Sequence, residues 1–442
     1  MLEYKIEKPD LSKISNERKI FLNENKYKIY FKYNLENYSN EKYLFRDKIK
    51  FQILPEELEN YEELWYIITN TRLLYNTDVK DKFGENFGLA KPKFLEELLH
   101  KLDLSLGGTF LGINLNDSER KIFLQNGITE EAISTSQLEG AMTSSKDARD
   151  MIKKGRRPFT RDEKMILNSY KAMNFINSDD FLKQKLSLEL LLELQKILTK
   201  DTLDDKDQEG KFRTDADEIV VQNSEGTKVF HIPPNEDVLY KELNNLLAYA
   251  NDEDGVFTHP FIKATILHFW IGYLHPFCDG NGRTARSLFY WYLLKKGYWG
   301  FSYIPISTTI KNSKIQYRDA YIYSEQDSND LTYFLVYMAN KTKQAFVEFE
   351  KYVNLKKHKQ KDIFKELNHL GFNERQIKLI AYFLENLESY TNNSIHKNYY
   401  GIAINTAKRD LEELFEKGFL KKQKQGKYVN YFPVNNLKDL TS

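Results

Sequence analysis

The sequence predicts a mainly α-helical protein in which one β-hairpin is set into a helical bundle, and three observations support this. From about Asp117 to Ala345 most segments carry apolar residues at three- and four-residue spacing, the signature of amphipathic helices. Within that region only "DEIVVQNSEGTKVFHIPP" departs from it, with two short β-branched runs around a Ser-Glu-Gly turn and a stop at Pro233-Pro234. Beyond the bundle, the chain reads as two helices followed by two strands. A single hairpin cannot form a sheet core of its own, so it is expected on the surface.

The 442 residues, with 41% hydrophobic and 14% aromatic content, suffice for a large core divided into two to four domains. Against 65 basic side chains stand 64 acidic ones, a net charge of +1, so no global field steers the chain toward nucleic acid or an anionic membrane. Any such partner must meet a local patch. Cys278 is the lone cysteine, which excludes an internal disulfide framework. The opening Met-Leu-Glu-Tyr-Lys lacks an apolar leader, and the longest apolar runs are too short for a bilayer. The expectation is a cytoplasmic globular protein without a membrane partner.

Residues 1–110 form an N-terminal extension of α+β/helical character. In it "YKIYFKY" alternates like a strand, and "PEELENYEELWYIITNTRLL" has helical spacing. Residues 111–345 are the helical middle. A lysine-rich helical connector, "KYVNLKKHKQKDIFKEL", opens the last division, residues 346–442. There "NERQIKLIAYFLEN" and "NTAKRDLEELFEKG" read as helices, and "FLKKQKQGKYVNYFPV" as two strands around Gln425-Gly426, which are the parts of a winged helix.

The chemistry concentrates in "HPFCDGNGRTAR", His275 to Arg286. Before it, "HPFIKATILHFWIGYL" is a helix with Pro260 suited to its first turn, and Pro276 should stop that helix at His275. After it, "RTARSLFYWYLLKKG" is a second helix, closed by Gly297. Gly280, Asn281 and Gly282 thus sit at a helix N-terminus, where converging N–H groups and the helix dipole favour an anion such as a diphosphate. Arg283 and Arg286, three apart, share a face and can grip further phosphate oxygens through forked hydrogen bonds. Asp279 beside a phosphate nest calls for a hard cation between them, and magnesium suits one carboxylate plus substrate phosphates. His275, with an unperturbed pKa of roughly 6.5, can take a proton from an incoming hydroxyl. No GxxxxGK[ST] stretch offers another nucleotide site. His259 and His268 match no zinc spacing and are read as packing and hydrogen-bonding residues.

These twelve residues resemble the Fic family signature HPFx[DE]GNGRxxR, without a departure, and the resemblance extends over roughly Asp117 to Ala345. It implies a Fic-type helical bundle that transfers AMP from ATP to a protein hydroxyl on Tyr, Ser or Thr and releases pyrophosphate. By that resemblance His275 is the general base, Asp279 the ligand of Mg2+, Gly280, Asn281 and Gly282 the anion nest, and Arg283 and Arg286 the holders of the β- and γ-phosphates. Relatives that move phosphate, UMP or phosphocholine make another transferred group the runner-up.

The segment "EEAISTSQLEGAM" places Thr135 and Glu139 on one helical face, with Gly140 permitting close approach to another element. Alone it is a helix tail. Beside the signature it resembles the family's inhibitory motif [ST]xxxE[GN], which implies that Glu139 forms a forked pair with Arg286 and holds ATP in an unproductive pose. The hairpin resembles the Fic flap, whose edge strand over Val229, Phe230, His231 and Ile232 would pair with an extended target; a plain surface hairpin is the alternative. Tyr317, in "STTIKNSKIQYRDAYIYSEQDSND", is the candidate for contact with adenine.

In the C-terminal unit, Ala403, Ala407, Leu411 and Leu414 form an inward stripe, and Asn405, Lys408 and Arg409 lie outside it. Lys421, Lys422, Lys424 and Lys427 crowd the wing, whereas Glu412, Glu413 and Glu416 dilute the charge. The unit therefore reads as either a DNA-binding or a protein-docking winged helix, the latter including a homodimer contact. A DNA-binding regulator whose Fic unit senses nucleotide or modifies only itself is the alternative for the whole chain.

Overall fold

Serine, threonine and asparagine caps start many of the described helices. Ser15, Asn60, Thr160, Ser187 and Asn235 each accept a backbone N–H from the first turn of the helix that follows. The computed structural model describes residues 2–108, 117–368, 371–385, 387, 389–425, 428–437 and 439–440. Residues 1–114 and 123–346 form one compact unit, and residues 115–122 and 347–442 the other. The division expected at residue 110 lies outside the described residues.

The first unit starts with β1 (Leu2–Glu3), followed by α1 (Asn16–Lys32), α2 (Arg46–Ile49), α3 (Tyr61–Thr71), the hairpin β2 (Tyr75–Lys80) and β3 (Asn86–Leu89), and α4 (Lys93–Leu102). The alternating "YKIYFKY" is not a strand but the end of α1. Leu22, Ile29 and Tyr30, at helical spacing, are its buried face, and the alternation is incidental to them. They enter a core with Trp65, Ile68, Ile322 and Tyr333, so residues from much later in the chain share the core of the N-terminal extension.

Then come α5 (Asp117–Leu138), α6 (Ser145–Lys154), α7 (Arg161–Ile176), α8 (Asp179–Lys183) and α9 (Leu188–Thr199). The hairpin β4 (Val221–Gln222) and β5 (Lys228–His231) precedes α10 (Glu236–Ala250), α11 (Pro260–Leu274), α12 (Asn281–Lys295), α13 (Ile306–Lys311), α14 (Lys314–Gln326) and α15 (Thr332–Asn368). In α11 every residue except Pro260 and Gly272 is buried, and α12 buries Trp291 and Tyr290 beside it. A helix buried on all sides is the centre of a bundle, which fixes both ends of the loop between α11 and α12.

The hairpin belongs to a three-stranded sheet of order β1-β5-β4. β4 runs antiparallel to β5, with Val221 opposite His231 and a register shift before Gln222 opposite Val229. β1 runs parallel to β5 on its other side, Leu2 opposite Lys228 and Glu3 opposite Val229. At Lys228 and Val229, β5 is therefore the middle strand and not the vacant edge that the hairpin alone suggests.

The second unit contains α16 (Glu374–Glu385), α17 (Asn393–Tyr400), α18 (Ile404–Glu416) and the antiparallel pair β6 (Leu420–Gln425) and β7 (Tyr428–Pro433). Ala407, Leu411 and Leu414 are buried in α18 as expected. Ala403 is exposed, because it is the N-cap and precedes the first helical turn. Asn405, Lys408, Arg409, Lys421, Lys422 and Lys424 are exposed, and Lys422 is ion-paired with Glu412. Gly426 and Lys427 lie outside the described residues. Among the described residues, no helix is long and apolar enough to cross a membrane.

Candidate active site

Pro276 keeps the residue before it out of right-handed helical geometry, and α11 ends accordingly at His275, which adopts φ 47° and ψ 56°. A left-handed histidine costs on the order of 1–3 kcal/mol and persists only where its surroundings hold it. The holder is Arg213, a residue to which no spacing in the sequence points. Its Nε donates to the His275 carbonyl at 2.8 Å, and its Nη2 donates to Pro234 and Leu274 carbonyls at 2.6 and 3.2 Å. Its own amide donates to the Pro276 carbonyl at 2.9 Å. One buried guanidinium thus ties the segment after the β4–β5 hairpin, the end of α11 and the loop together.

The protonation of the imidazole follows from its contacts. Nδ1 faces the Gly272 carbonyl at 3.2 Å, and a carbonyl only accepts, so Nδ1 carries the proton and Nε2 keeps its lone pair. Burial lowers the ring's pKa to about 4; the charge of His231 adds to this, and the Gly272 bond and Glu139 oppose it. At neutral pH the ring is uncharged.

Between His275 and α12 the loop is closed by Asn281. Its Oδ1 accepts the Phe277 amide at 2.9 Å and its Nδ2 donates to the Phe277 carbonyl at 2.6 Å. The Asn281 side chain therefore shapes the loop, leaving the nest to backbone groups. Phe277 is fully buried, stacked on Phe212 with ring centroids 5.4 Å apart. Gln195 of α9 donates to the Asp279 carbonyl at 3.1 Å and accepts the Gly210 amide at 2.6 Å. It is a second support that sequence spacing does not reveal. Gly280 is the N-cap of α12 with φ 88°. Cys278 is held as a thiol, since burial pushes it up to about 11.

The two arginines are almost fully buried. Arg283 donates from Nη1 to the Leu198 carbonyl at 2.7 Å, and its Nη2 lies 3.4 Å from Asp279 Oδ1. Arg286 donates from Nε to Thr135 Oγ1 at 2.6 Å and from Nη2 to Glu139 Oε1 at 2.7 Å. The forked pair expected between Glu139 and Arg286 is thus split, because the Thr135 hydroxyl takes one prong. Arg283 Nε and Arg286 Nη1 are buried without a partner. Two orphaned cationic donors beside a helix N-terminus are an unfilled demand for acceptor oxygens.

Glu139 partly fills it. A Cβ built on Gly282 would collide with Glu139 Oε1, so the carboxylate rests directly on the first turn of α12 and would have to shift to admit a side chain there. Burial works to raise the Glu139 pKa; the charge and hydrogen bond of Arg286, then Arg283 and His275, outweigh it and hold the carboxyl below its ordinary range. Gly140 serves differently than expected. A Cβ there meets nothing within 4 Å, and its φ of 102° is what calls for glycine. The helix behind Glu139 is pinned by Glu131, whose Oε2 accepts from Tyr290 Oη at 2.7 Å and from the Ser307 amide at 3.0 Å.

Tyr317 lies on α14 with its hydroxyl 2.7 Å from His268 Nε2. His259 caps α11, accepting the Phe261 amide at 3.1 Å. Asp279 is the motif's only carboxylate, 41% exposed at the mouth of α12. It fits a magnesium ion held chiefly by phosphate oxygens and water, which needs one or two protein carboxylates. Among the described residues no group of three or more histidine, cysteine or acidic side chains is arranged for a metal.

The bundle and its loop define a class: a helical protein with a buried, neutral histidine beside two buried arginines at a helix N-terminus. Residues 185–293 match the Fic/DOC family, and the chain carries a Fic domain. A protein adenylyltransferase Fic of Nematostella vectensis is 39% identical over 75 residues, 16% of this chain and 18% of that protein. One of Drosophila grimshawi is 30% identical over 136 residues, 30% of this chain and 25% of that protein. The chain thus spans about a quarter or less of these relatives' length. A Fic family protein from Desulfovibrio desulfuricans G20 has a similar structure, with a TM-score of 0.48 and 17% identity over 76% of this chain and 96% of that one.

Proposed function

We propose that this protein is an adenylyltransferase that moves AMP from ATP to a hydroxyl side chain of a protein target or of itself, restrained by Glu139. The carrying observation is the pairing of a neutral, Nε2-free His275 with orphaned donors on Arg283 and Arg286 at the α12 N-terminus. His275 Nε2 takes the proton from the incoming hydroxyl, whose oxygen attacks the α-phosphorus of ATP. The bond from that phosphorus to the β-phosphate bridging oxygen breaks, and pyrophosphate leaves. Arg283, Arg286 and the amides of the first turn of α12 hold the β- and γ-phosphates in line and take up charge on the leaving group. Asp279 would hold Mg2+, which supplies charge neutralisation to the pyrophosphate.

Glu139 on Gly282 and Arg286 occupies space and a donor that the γ-phosphate requires, so the resting protein favours an unproductive nucleotide pose. Intact-protein mass spectrometry of the Glu139→Gly variant after incubation with ATP and magnesium tests the reading. An added AMP is expected. An added phosphate, or no change, overturns it.

A further inference from the structure

We infer that a cleft lined by α6, α7 and the end of α9 is a second anion site, separate from the one on α12, and that it takes a compound carrying two or more linked phosphates. The cleft has a volume of about 440 Å³, within the range of small-molecule sites. Three segments supply it with cations: Arg157 after α6, Lys164 and Lys171 on α7, and Lys200 directly after α9. Lys164, Leu167, Asn168 and Lys171 are spaced by three and four residues, so one face of α7 presents them together. Met151 and Leu167 add apolar lining.

The charge in the cleft is unbalanced. Among the described residues none of these four cations is ion-paired. Their neighbour Arg156 is satisfied by Glu163, at 2.6 and 3.2 Å, and so is not free to take a ligand. Asp201 is the one carboxylate in the lining, and Lys206 lies 3.7 Å from it. The chain as a whole has a net charge of only +1, so a general surplus does not account for four unpaired cations about one concavity. Concave walls focus the potential they raise. Helix ends explain only half of the arrangement. α6 and α9 both end at the cleft, and a cation is ordinary near a helix C-terminus, which covers Arg157 and Lys200. Lys164 stands instead in the first turn of α7, where the dipole opposes a cation, and Lys171 lies in the helix interior.

A single phosphate carries about two negative charges, too few for four cations on three segments, whereas linked phosphates match both their number and their spread. Asn168 fixes the geometry from the side, its Nδ2 donating to the Lys200 carbonyl at 2.7 Å. None of the lining residues belongs to the loop from His275 to Arg286. Binding in the cleft stands on this geometry and is independent of the adenylyltransferase reading.

The test is a lysine footprint on the full chain. It reads the cleft and not the site on α12, because no lysine lies between His275 and Arg286. Sodium tripolyphosphate, without nucleotide or magnesium, is the probe; acetylation by N-hydroxysuccinimidyl acetate is followed by peptide mass spectrometry. Saturating probe should slow acetylation of Lys164, Lys171 and Lys200 about five-fold or more, with less than about two-fold change at exposed Lys28 and Lys42. Sodium chloride of equal ionic strength should protect none of them. Equal protection at all five lysines, which marks unselective screening, or no protection at the three overturns the inference. ATP in place of tripolyphosphate separates two sources of the same chemistry. Protection at a lower concentration assigns the cleft to a nucleoside polyphosphate, its apolar lining taking the nucleoside; protection at an equal or higher one assigns it to free polyphosphate. Combining Lys164→Gln with Lys171→Gln should raise the tripolyphosphate concentration that protects Lys200 about ten-fold or more, and an unchanged concentration overturns the inference as well.

Discussion

Replacing Glu139 with glycine removes the carboxylate that rests on the first turn of α12, and the structure sets the size of the effect. The bond from Arg286 Nη2 to Glu139 Oε1 is 2.7 Å long, the arginine is 3% exposed and the glutamate side chain 31% exposed. A charge-assisted bond of this kind contributes about 1.5–3 kcal/mol, and exposure of the carboxylate favours the lower half of that range. If productive ATP binding must break it, its removal speeds AMP transfer by a factor of about 10 to 50. The same change leaves Nη2 of Arg286 with only the long bond to the Thr135 carbonyl at 3.4 Å, beside the already orphaned Nη1, so the free variant should lose about 1–2 kcal/mol of stability and regain it with ATP. The assay is incorporation of label from α-labelled ATP into the protein, with thermal unfolding measured with and without nucleotide. Glu139→Gln, which keeps the shape and loses the charge, should fall between wild type and glycine. Equal labelling of wild type and Glu139→Gly refutes the argument.

Three further outcomes follow from the same geometry. His275→Ala in the Glu139→Gly background should abolish labelling while ATP still raises the melting temperature, and residual labelling above one per cent would move the base elsewhere. Because the imidazole's pKa is lowered to about 4, labelling by Glu139→Gly should keep most of its rate at pH 5.5, where a histidine of ordinary pKa would be roughly nine-tenths protonated. The sign in stability agrees: the folded value lies below the unfolded one, so this contribution to stability declines as pH falls from about 6.5 toward 4, and a rate limb near 6.5 would contradict the burial argument. Arg213→Ala removes three bonds to loop carbonyls and should cost about 3 kcal/mol and most of the labelling, read by denaturant titration and the label assay; an unchanged midpoint would show that the left-handed His275 is held by other contacts.

The loop from His275 to Arg286 was legible in the sequence because its chemistry is contiguous: proline, glycine and the helix period fix its geometry over twelve residues. What supports it was not, since Arg213 and Gln195 reach the loop from 62 and 84 residues away and local spacing carries no trace of such contacts. The pairing of Leu2 with Lys228 is longer still. Aromatic alternation misled at "YKIYFKY", where Ser15 and the spacing of Leu22, Ile29 and Tyr30 were the better signals. α17 escaped notice because its single buried residue, His396, leaves no apolar stripe. Its ends were nonetheless written in the caps Asn392 and Gly401, which has φ 61°.

The proposed restraint and the third strand of the sheet come from different parts of the fold. Glu139 follows α5, anchored by Glu131 between Tyr290 and Ser307, and competes with the nucleotide at Arg286. Leu2–Tyr4 lies along β5, next to Ile6 in the core of the N-terminal extension. No residue is common to the two contacts, so the free energies of substitutions in them should add. The restraint is also of modest strength, a hydrogen-bonded pair with a partly exposed carboxylate, which suits a contact that must open in use. The N-terminal extension, in which the sequence shows no chemistry, contributes instead to the sheet, by filling the side of β5 that the hairpin alone leaves vacant.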